Sequence, residues 1–577
     1  MQPITDLDAP GPRAYDANVA RAMLQVFARR GVRMAFGIPG GLISSVFDAL
    51  VDVPEIRLVM TRHEGMAAFC ALGHSVATGT PALVLTTSGP GITNALTGVA
   101  AAFVEQIPLI FIGGEVSGNA ASRAAMQDSS SNAVDSVAMM RTVTRWSSRV
   151  DNAAGAAGAA EQAIRMATGP RPGPVFLSLP IDVGTSRTRI APVLVGEPDA
   201  PQAPDPAFCR DVARRLRRAK RPLIVAGNGA RSAAKELRQL AEYAASPVTT
   251  TGHGKGVFPE RHPLHLGVTG FGGHPSVRAY LAAGPDVVCI VGSRLGDMAT
   301  GSWSLPLVGS EATFQIDRDP WLIGRTYPVT AGIVGDARTV LHAMLAGGSS
   351  GTPASGGPPP LREAAGIRYT AEDSVTSSDV PLKPGRVFAA LQDAYPNAFW
   401  ATDQGEHCGY AIHYLRIDEP EQFRTMMGFA SMGSGIGLAI GARAAQKQRT
   451  VIGVCGDGGF AMHAGEVLTC VEHGIDVILV IINDGRWNMV NHGFSSVYGR
   501  APQGMPSHVA DLAGVARSFG AVGVRIERPE DLDRERLRAL AGLGRPVVLD
   551  IRIDPSLALS VESRSAALKD CAVEVLP

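Results

Sequence analysis

The sequence has no excess of either charge and no long apolar run. Its 577 residues contain 53 Lys and Arg against 53 Asp and Glu, so no whole-chain field favours nucleic acid or an anionic membrane. No apolar run approaches the roughly 20 residues that span a bilayer. The N-terminus, MQPITDLDAPGPR, lacks a secretory signal pattern. We therefore expect a soluble, cytoplasmic protein whose partners are small molecules, with no nucleic acid and no membrane among them.

Cysteine is also scarce. The seven cysteines show no CxxC spacing, and most have apolar neighbours. This pattern predicts reduced, buried thiols, as in a cytosolic protein. They lie at positions 70, 209, 289, 408, 455, 470 and 571.

The most informative stretch runs from Val451 to Val490 and reads as strand, glycine turn, helix and strand. Its first apolar run ends at a Gly-Asp-Gly turn that contains Asp457, and its second run, Val477 to Ile482, ends just before Asp484. A right-handed crossover would bring both acids to neighbouring C-terminal strand ends, where open α/β sheets bind ligands. Two carboxylates there suit Mg²⁺ that carries a phosphate group.

This pair of sites resembles a known signature. A Gly-Asp-Gly turn alone is more often only a tight connection. When it is followed after 24 residues by an Asn-Asp pair, it resembles the signature of thiamine-diphosphate (ThDP) enzymes. The segments RHEGMAA at 62–68, PALVLTTSGPG at 81–91 and GFASMGSGIGLAIGA at 428–442 resemble the acetolactate synthase and pyruvate oxidase group of that family.

The resemblance covers essentially the whole chain and implies an α/β fold of three domains, each with a mostly parallel, doubly wound sheet. The implied domains are a pyrimidine-binding domain (1–188), a central Rossmann-like domain (205–346), a linker (347–383) and a diphosphate- and Mg-binding domain (384–577). In relatives the central domain sometimes carries FAD and sometimes nothing, and the sequence does not decide between them. Its glycine turn, in RPLIVAGNGARSAA at 221–234, also reads as a structural Rossmann-like unit.

The resemblance implies ThDP and Mg²⁺ as cofactors and assigns residues to them. Glu64 is the family's activator of the cofactor, although as the first-turn acid of a helix it could simply complement the helix dipole. Met432 takes the position of the bulky side chain that bends ThDP. Asp457, Asp484 and the carbonyl of Arg486 are the metal ligands. The other cofactor-binding candidates are Pro39, Asn94, Gly405, Glu406, His407, Ala430, Gly456, Gly458, Gly459 and Met489.

Three positions depart from the family pattern. Asp484 replaces a more frequent Asn and adds negative charge beside an anionic diphosphate, which we expect the metal to tolerate. Glu406 stands where Gln is common, which puts its contact with the diphosphate in doubt. Gly493 stands where biosynthetic acetohydroxyacid synthases have a Trp that narrows the acceptor pocket. Loss of that indole makes a different or larger acceptor plausible.

The implied activity is a carboligase that decarboxylates a 2-oxo acid, pyruvate in the simplest version, and transfers the remaining acyl carbanion to a second carbonyl compound. Gln127 and the Gly40-Gly41 turn are candidates to orient the acceptor or its oxyanion. The substrate-pocket candidates are Met126, Gln127, Met489, Val490 and Gly493. The alternatives are a decarboxylase, lyase or acyltransferase on the same scaffold, or a non-catalytic paralogue, against which the intact Glu64, Asp457 and Asp484 argue. In this family the active site lies between subunits, which implies a homodimer or homotetramer.

Overall fold

The computed structural model describes residues 16–189, 204–346, 367–506 and 508–558. The N-terminal leader, most of the Pro-rich stretch before the central domain, residues 347–366 of the predicted linker and Cys571 lie outside them. Contacts divide the chain into two compact units, residues 1–199 with 440–446 and residues 200–439 with 447–577, and each is described separately. The predicted domain boundaries stay predictions.

The first unit is built on a parallel six-stranded sheet. Its regular elements are β1 (Asp16–Asn18), α1 (Val19–Arg29), β2 (Met34–Gly37), α2 (Ser44–Val51), β3 (Arg57–Met60), α3 (Glu64–Thr78), β4 (Leu83–Thr86), α4 (Pro90–Glu105), β5 (Leu109–Glu115), α5 (Ser136–Arg141), β6 (Trp146–Arg149), α6 (Ala156–Thr168), β7 (Pro174–Pro180), α7 (Ile181–Thr185) and β8 (Arg187–Arg189). The sheet has the order β3-β2-β4-β5-β7-β6, and β1 pairs antiparallel with β8. Every residue of β2, β4, β5 and β7 is buried, as expected when helices cover both faces of a parallel sheet.

A second parallel six-stranded sheet, with the order β11-β10-β9-β12-β13-β14, follows. Its elements are α8 (Pro206–Arg218), β9 (Pro222–Ala226), α9 (Ala234–Ala244), β10 (Val248–Thr251), β11 (His265–Thr269), α10 (Pro275–Ala282), β12 (Val287–Val291), α11 (Asp297–Thr300), β13 (Ala312–Asp317), β14 (Ala331–Val334) and α12 (Ala337–Leu345).

The third parallel six-stranded sheet has the order β16-β15-β17-β18-β20-β19. Its elements are α13 (Pro384–Ala394), β15 (Phe399–Thr402), α14 (Glu406–Tyr414), β16 (Phe423–Thr425), α15 (Ser434–Ala445), β17 (Val451–Gly456), α16 (Asp457–His463), α17 (Glu466–Glu472), β18 (Ile478–Asn483), α18 (Asn488–Tyr498), α19 (Leu512–Ser518), β19 (Val522–Ile526), α20 (Arg534–Ala541) and β20 (Val547–Arg552). Three parallel sheets with helices between their strands confirm the predicted fold class.

A lysine of a buried ion pair in the second sheet's region also hydrogen-bonds to the third sheet's region. Nζ of Lys255 lies 2.6 Å from Oε1 of Glu260 and donates at 2.8 Å to the carbonyl of Ile412, and neither charged side chain is exposed. A buried charge needs such a partner, because withdrawing it from water alone is costly.

The strand orders locate the places where ligands bind. In each sheet the order in which successive strands are added reverses between two neighbouring strands. This switch point opens a crevice at their C-terminal ends. The pairs are β2 and β4, β9 and β12, and β15 and β17. In the second sheet this crevice is filled by backbone, because the amide of Gly229 donates to the carbonyl of Gly292 at 2.9 Å. The close approach of these two backbone segments explains why the turn is rich in glycine, so its glycines need not indicate a ligand site.

The six cysteines within the described residues are all buried, as predicted, and form no disulfide there. None of the described helices is both long enough and apolar enough to cross a membrane.

Candidate active site

Asp457 and Asp484 lie at the C-terminal ends of two neighbouring strands. β17 pairs in parallel with β18, Asp457 follows β17 as the first residue of α16, and Asp484 follows β18. Oδ1 of Asp484 accepts the amide of Arg486 at 3.0 Å, and Oδ2 accepts Nδ2 of Asn488 at 2.8 Å. The sheet therefore brings the two acids among the predicted metal ligands to one edge.

The surroundings of the two carboxylates disfavour their charged forms. Burial raises the pKa of Asp457 to about 6. Burial, and then the neighbouring charge of Asp457, raises the pKa of Asp484 to about 7. Within the described ranges no group of three or more His, Cys, Asp or Glu could hold a metal. A hard cation here would thus need further oxygen ligands, from backbone or from a bound phosphate.

A buried histidine lies beside the two glycine turns at the switch point. A side chain at Gly405 would come within 2.5 Å of Cε1 of His407, and one at Gly456 within 3.1 Å of its Nδ1. Burial lowers the pKa of His407 to about 4, so the ring is neutral. Its buried Nε2 finds no hydrogen-bond partner among the described residues. A buried orphan nitrogen in a glycine-lined crevice fits a ligand oxygen such as that of a phosphate.

Two large side chains lie against the Gly-Asp-Gly turn. A Cβ at Gly458 would approach Nε1 of Trp487 to 2.4 Å and Cε of Met432 to 3.2 Å. Only glycine fits between them. The predicted cofactor-bending residue and the metal motif therefore adjoin each other within the same unit.

Asp403 organises the loop that carries Met432. This fully buried carboxylate accepts the amides of Gly433 at 2.8 Å and Gly435 at 3.1 Å, and the hydroxyl of Ser434 at 3.3 Å. A Cβ at the predicted cofactor residue Gly459 would lie 2.4 Å from its Oδ2. Gly459 thus packs on Asp403.

In the first unit, Glu64 begins α3 and is held by α4. Nδ2 of Asn94 donates to Oε2 of Glu64 at 3.0 Å, so two predicted cofactor residues are in contact. The two helices pack closely, because a Cβ at Gly98 would lie 2.5 Å from that of Ala68. The segment before α3 turns sharply, with Nδ1 of His63 accepting the amide of Gly65 at 3.1 Å.

Gln127 lies at the switch point of the first unit, between β2 and β4, where it contacts the residues that follow β4. Its carbonyl accepts the hydroxyl of Ser88 at 2.7 Å, and its Oε1 accepts that of Thr87 at 3.4 Å. Thr87 also packs on Gly40, whose Cβ would lie 2.5 Å from that of Thr87. Gln127 has a positive φ of 59°, an uncommon conformation for a residue with a side chain.

A cavity of about 740 Å³ opens beside Gln127. It is lined by Gly89, Pro90, Thr93 and residues from the segment 122–134, including Asp128 and Asn132. Met126, a predicted pocket residue, is not among them, because its side chain is 83% exposed.

The remaining predicted site residues have different environments. Met489 packs against the core of the third sheet, whereas Val490 is 44% exposed. A Cβ at Gly493 would meet no atom of residues 16–189, 204–346, 367–506 or 508–558 within 4 Å. Pro39, Gly41, Ala430 and Arg486 are exposed, and Ala430 has a positive φ of 59°.

Sequence reasoning missed Asp403 and Trp487. Asp403 follows β15 just as Asp457 follows β17, so the strand-end rule that found Asp457 could have found it. Trp487 had no such signal, since its contact with Gly458 depends on how the turn after β18 folds.

Comparisons with known proteins agree with this geometry. Three sequence profiles match: the N-terminal TPP binding domain of the thiamine pyrophosphate enzymes at residues 17–139, their central domain at 209–344 and their C-terminal TPP binding domain at 403–551. The last range includes the Asp457 and Asp484 motif, and the first includes Glu64.

The curated relatives are similar over nearly their whole length. One, from Methanocaldococcus jannaschii and called "Probable acetolactate synthase large subunit", is 31% identical over 557 residues, 94% of this chain and 92% of the relative. The acetolactate synthase isozyme 3 large subunit of Escherichia coli is 30% identical over 93% of this chain and 95% of its own. The acetolactate synthase large subunit of Parasynechococcus marenigrum is 31% identical over 95% and 89%. These matches confirm the family resemblance.

Proposed function

Because the chain belongs to the thiamine pyrophosphate enzyme family and is similar to acetolactate synthase large subunits, we propose that it is a Mg-dependent carboligase. It decarboxylates a 2-oxo acid, pyruvate in the simplest version, and joins the remaining acyl unit to a second carbonyl compound. The observation that carries the proposal is the crevice between β15 and β17. There two glycine turns and a buried imidazole nitrogen, which has no hydrogen-bond partner within the described ranges, adjoin the acidic ends of β17 and β18.

The residues of the crevice fit the diphosphate and its metal. His407 offers a neutral ring whose Nε2 has no partner among the described residues, and Gly456 and Gly458 leave room for a close approach to the backbone. Asp457 and Asp484 would bind Mg²⁺, which relieves the repulsion between them. The carbonyl of Arg486 is the third protein ligand in this proposal.

Bound ThDP supplies the carbanion chemistry, and the protein has to position it and move protons at its pyrimidine ring. Glu64 would hold a proton at the pyrimidine nitrogen. Asn94, which donates to Glu64 Oε2, fixes the orientation of that carboxylate. Met432, held by the loop that Asp403 anchors, would support the bent conformation of the cofactor. Gln127 and the Gly40-Gly41 turn would orient the acceptor.

We infer a homodimer or homotetramer, with Glu64 of one subunit completing the metal-binding half of another. The buried, reduced cysteines fit a cytoplasmic location. Whether the central domain holds FAD is left to the visible spectrum of the purified protein.

A second candidate is a decarboxylase, lyase or acyltransferase with a bulkier or specialised acceptor. The open space at Gly493 favours it over a role in branched-chain biosynthesis. The enzyme, loaded with ThDP and Mg²⁺, is incubated with pyruvate alone and with a panel of 2-oxo acids and aldehydes, and the products are identified by mass spectrometry. Acetolactate or another C–C coupled product supports the carboligase, acetaldehyde supports the decarboxylase, and no pyruvate turnover would show the leading version to be wrong.

A further inference from the structure

A contact between a buried carboxylate and a half-buried imidazole joins the first residue of α14 to the middle of α18. Nδ1 of His492 lies 2.7 Å from Oε1 of Glu406, and the hydroxyl of Tyr410 donates to Oε2 at 3.2 Å. The side chain of Glu406 is 5% exposed and that of His492 is 17% exposed. Each oxygen of this carboxylate therefore has a partner.

The pair gives this carboxylate a counter-charge in a crowded acidic region. Removing a carboxylate from water is costly unless a cation pairs with it. The hydrogen bond that the His492 ring donates to Glu406 raises the pKa of His492. Asp484 is close enough to Glu406 for the two charges to repel each other. Glu406 is thus held between His492 and Tyr410.

The same face of α18 is fastened at a second point. Asn488 lies one turn before His492, and residues four apart share a helix face. Its Nδ2 donates to Oδ2 of Asp484 at 2.8 Å and to the carbonyl of Pro555 at 3.0 Å. The helix is therefore tied to the metal motif through Asn488 and to α14 through His492. Phe494, away from this face, is 40% exposed.

The helix that is fixed in this way carries the residues assigned to the acceptor. Gly493 directly follows His492, and Met489 directly follows Asn488. A rotation of α18 about its axis would move both pocket positions. At Gly493 no side chain among the described residues would resist it, because a Cβ there would meet none of their atoms within 4 Å.

We propose that the Glu406–His492 pair fixes the rotation of α18 and thereby the shape of the acceptor pocket, which makes His492 a positioning residue for the second substrate. The role rests on the proposed function, since Met489 and Gly493, two predicted substrate-pocket positions, lie on α18. Neither residue is required to touch a reacting atom.

The kinetic test uses the holoenzyme with pyruvate as donor and acceptor. We compare His492→Ala, His492→Gln, which keeps a hydrogen-bond donor, and Ser495→Ala, an exposed position on the same helix. In His492→Ala the KM for pyruvate in acetolactate formation should rise about tenfold, with partial recovery in His492→Gln. Single-turnover CO₂ release from limiting pyruvate and ThDP affinity should change by less than about threefold. An equal loss in all three measurements, or an unchanged KM, would overturn the proposal.

A second measurement does not depend on turnover. Backbone amides of residues 488–498 should exchange hydrogen faster in His492→Ala and Glu406→Ala than in the wild type or Ser495→Ala, with no substrate present. Unchanged exchange would show that the pair does not hold the helix. If the wild type turns over no pyruvate, the proposed function fails. Faster exchange in that case would still show that the Glu406–His492 pair fixes α18, but the helix would no longer be assigned to an acceptor pocket.

Discussion

Oδ2 of Asp403 accepts the backbone amide of Gly433 at 2.8 Å, which ties the end of β15 to the loop that carries Met432. The same carboxylate accepts the amide of Gly435 and packs under Gly459 of the metal turn. One buried acid thus connects the three segments from which the crevice is built. Burial raises its pKa to about 6, so the backbone donors only partly compensate for its loss of solvent.

We expect Asp403→Ala to destabilise the second unit and to weaken cofactor binding. The substitution leaves two buried amides and a hydroxyl without their acceptor, at a cost of about 3 kcal/mol. Thermal unfolding and ThDP titration measure the two effects. Asp393→Ala, which removes a carboxylate that is 61% exposed and paired at the surface, is the control and should change neither. Wild-type ThDP affinity in Asp403→Ala would contradict the role.

Glu64→Gln should separate binding from turnover. The amide keeps the size of the side chain and an oxygen that can accept from Asn94, so fold and Mg-dependent ThDP binding should persist. It cannot exchange the proton that the carboxylate is proposed to hold, so most turnover should be lost, by roughly a hundredfold or more. Steady-state rates and ThDP titration are compared with Glu55→Gln, an exposed glutamate of the same unit. Near wild-type rates would refute the role of Glu64.

The two acids of the metal motif should respond differently to amide substitution. Asp457→Asn should weaken Mg-supported ThDP binding at least about tenfold, because the remaining carboxylate binds a hard cation less well. Asp484→Asn should keep most of the affinity, since it restores the family's more frequent residue and removes the repulsion. Fluorescence of Trp487, which lies against Gly458, provides the readout as Mg²⁺ and ThDP are titrated. Equal losses of ThDP affinity in both variants would contradict the expectation that Asp457 matters more than Asp484.

How far the sequence predicts this arrangement depends on whether a contact is local. Asp457 and Asp484 were predicted to adjoin because each ends a buried apolar run, and the sheet places β17 beside β18. The position of Glu64 at the start of a helix also follows from a local sequence pattern. The Glu406–His492 pair joins residues 86 positions apart and depends on how α14 and α18 pack, which no local pattern encodes.

The stacked rings of His274 and His413 lead us to expect that the stability of the fold depends on pH. Their ring centroids lie 4.6 Å apart. Nδ1 of His274 accepts the amide of Val268, and Nε2 of His413 accepts that of Thr370. Each ring therefore needs to stay neutral. Burial lowers the pKa of His413 to about 4 and that of His274 well below its usual 6.5.

Because both pKa values are lowered in the folded protein, its stability should fall as the pH is lowered. Between pH 6.5 and about 4 the unfolded chain binds protons on both histidines while the folded chain does not, so stability present above pH 6.5 falls as the pH is lowered. Each histidine contributes about 1.4 kcal/mol per pH unit. The difference in Tm between pH 7.5 and pH 5 should be smaller in His413→Gln than in the wild type, whatever its absolute Tm. An unchanged difference would show that this histidine does not titrate in unfolding.

Gly493→Trp tests the acceptor pocket directly. Since a Cβ at Gly493 has no neighbour within 4 Å in the part of the chain that the structure describes, a side chain there should leave Tm within about 2 °C of the wild type. The indole would fill the space that biosynthetic relatives are expected to fill, so use of bulky acceptors should fall while 2-oxobutyrate is favoured over pyruvate. Mass spectrometry of a reaction that contains both acceptors gives the ratio of the 2-oxobutyrate product to the pyruvate product. Ser495→Trp, at an exposed position on α18, should leave that ratio unchanged. If both variants change it equally, the space beside Gly493 is not the acceptor pocket.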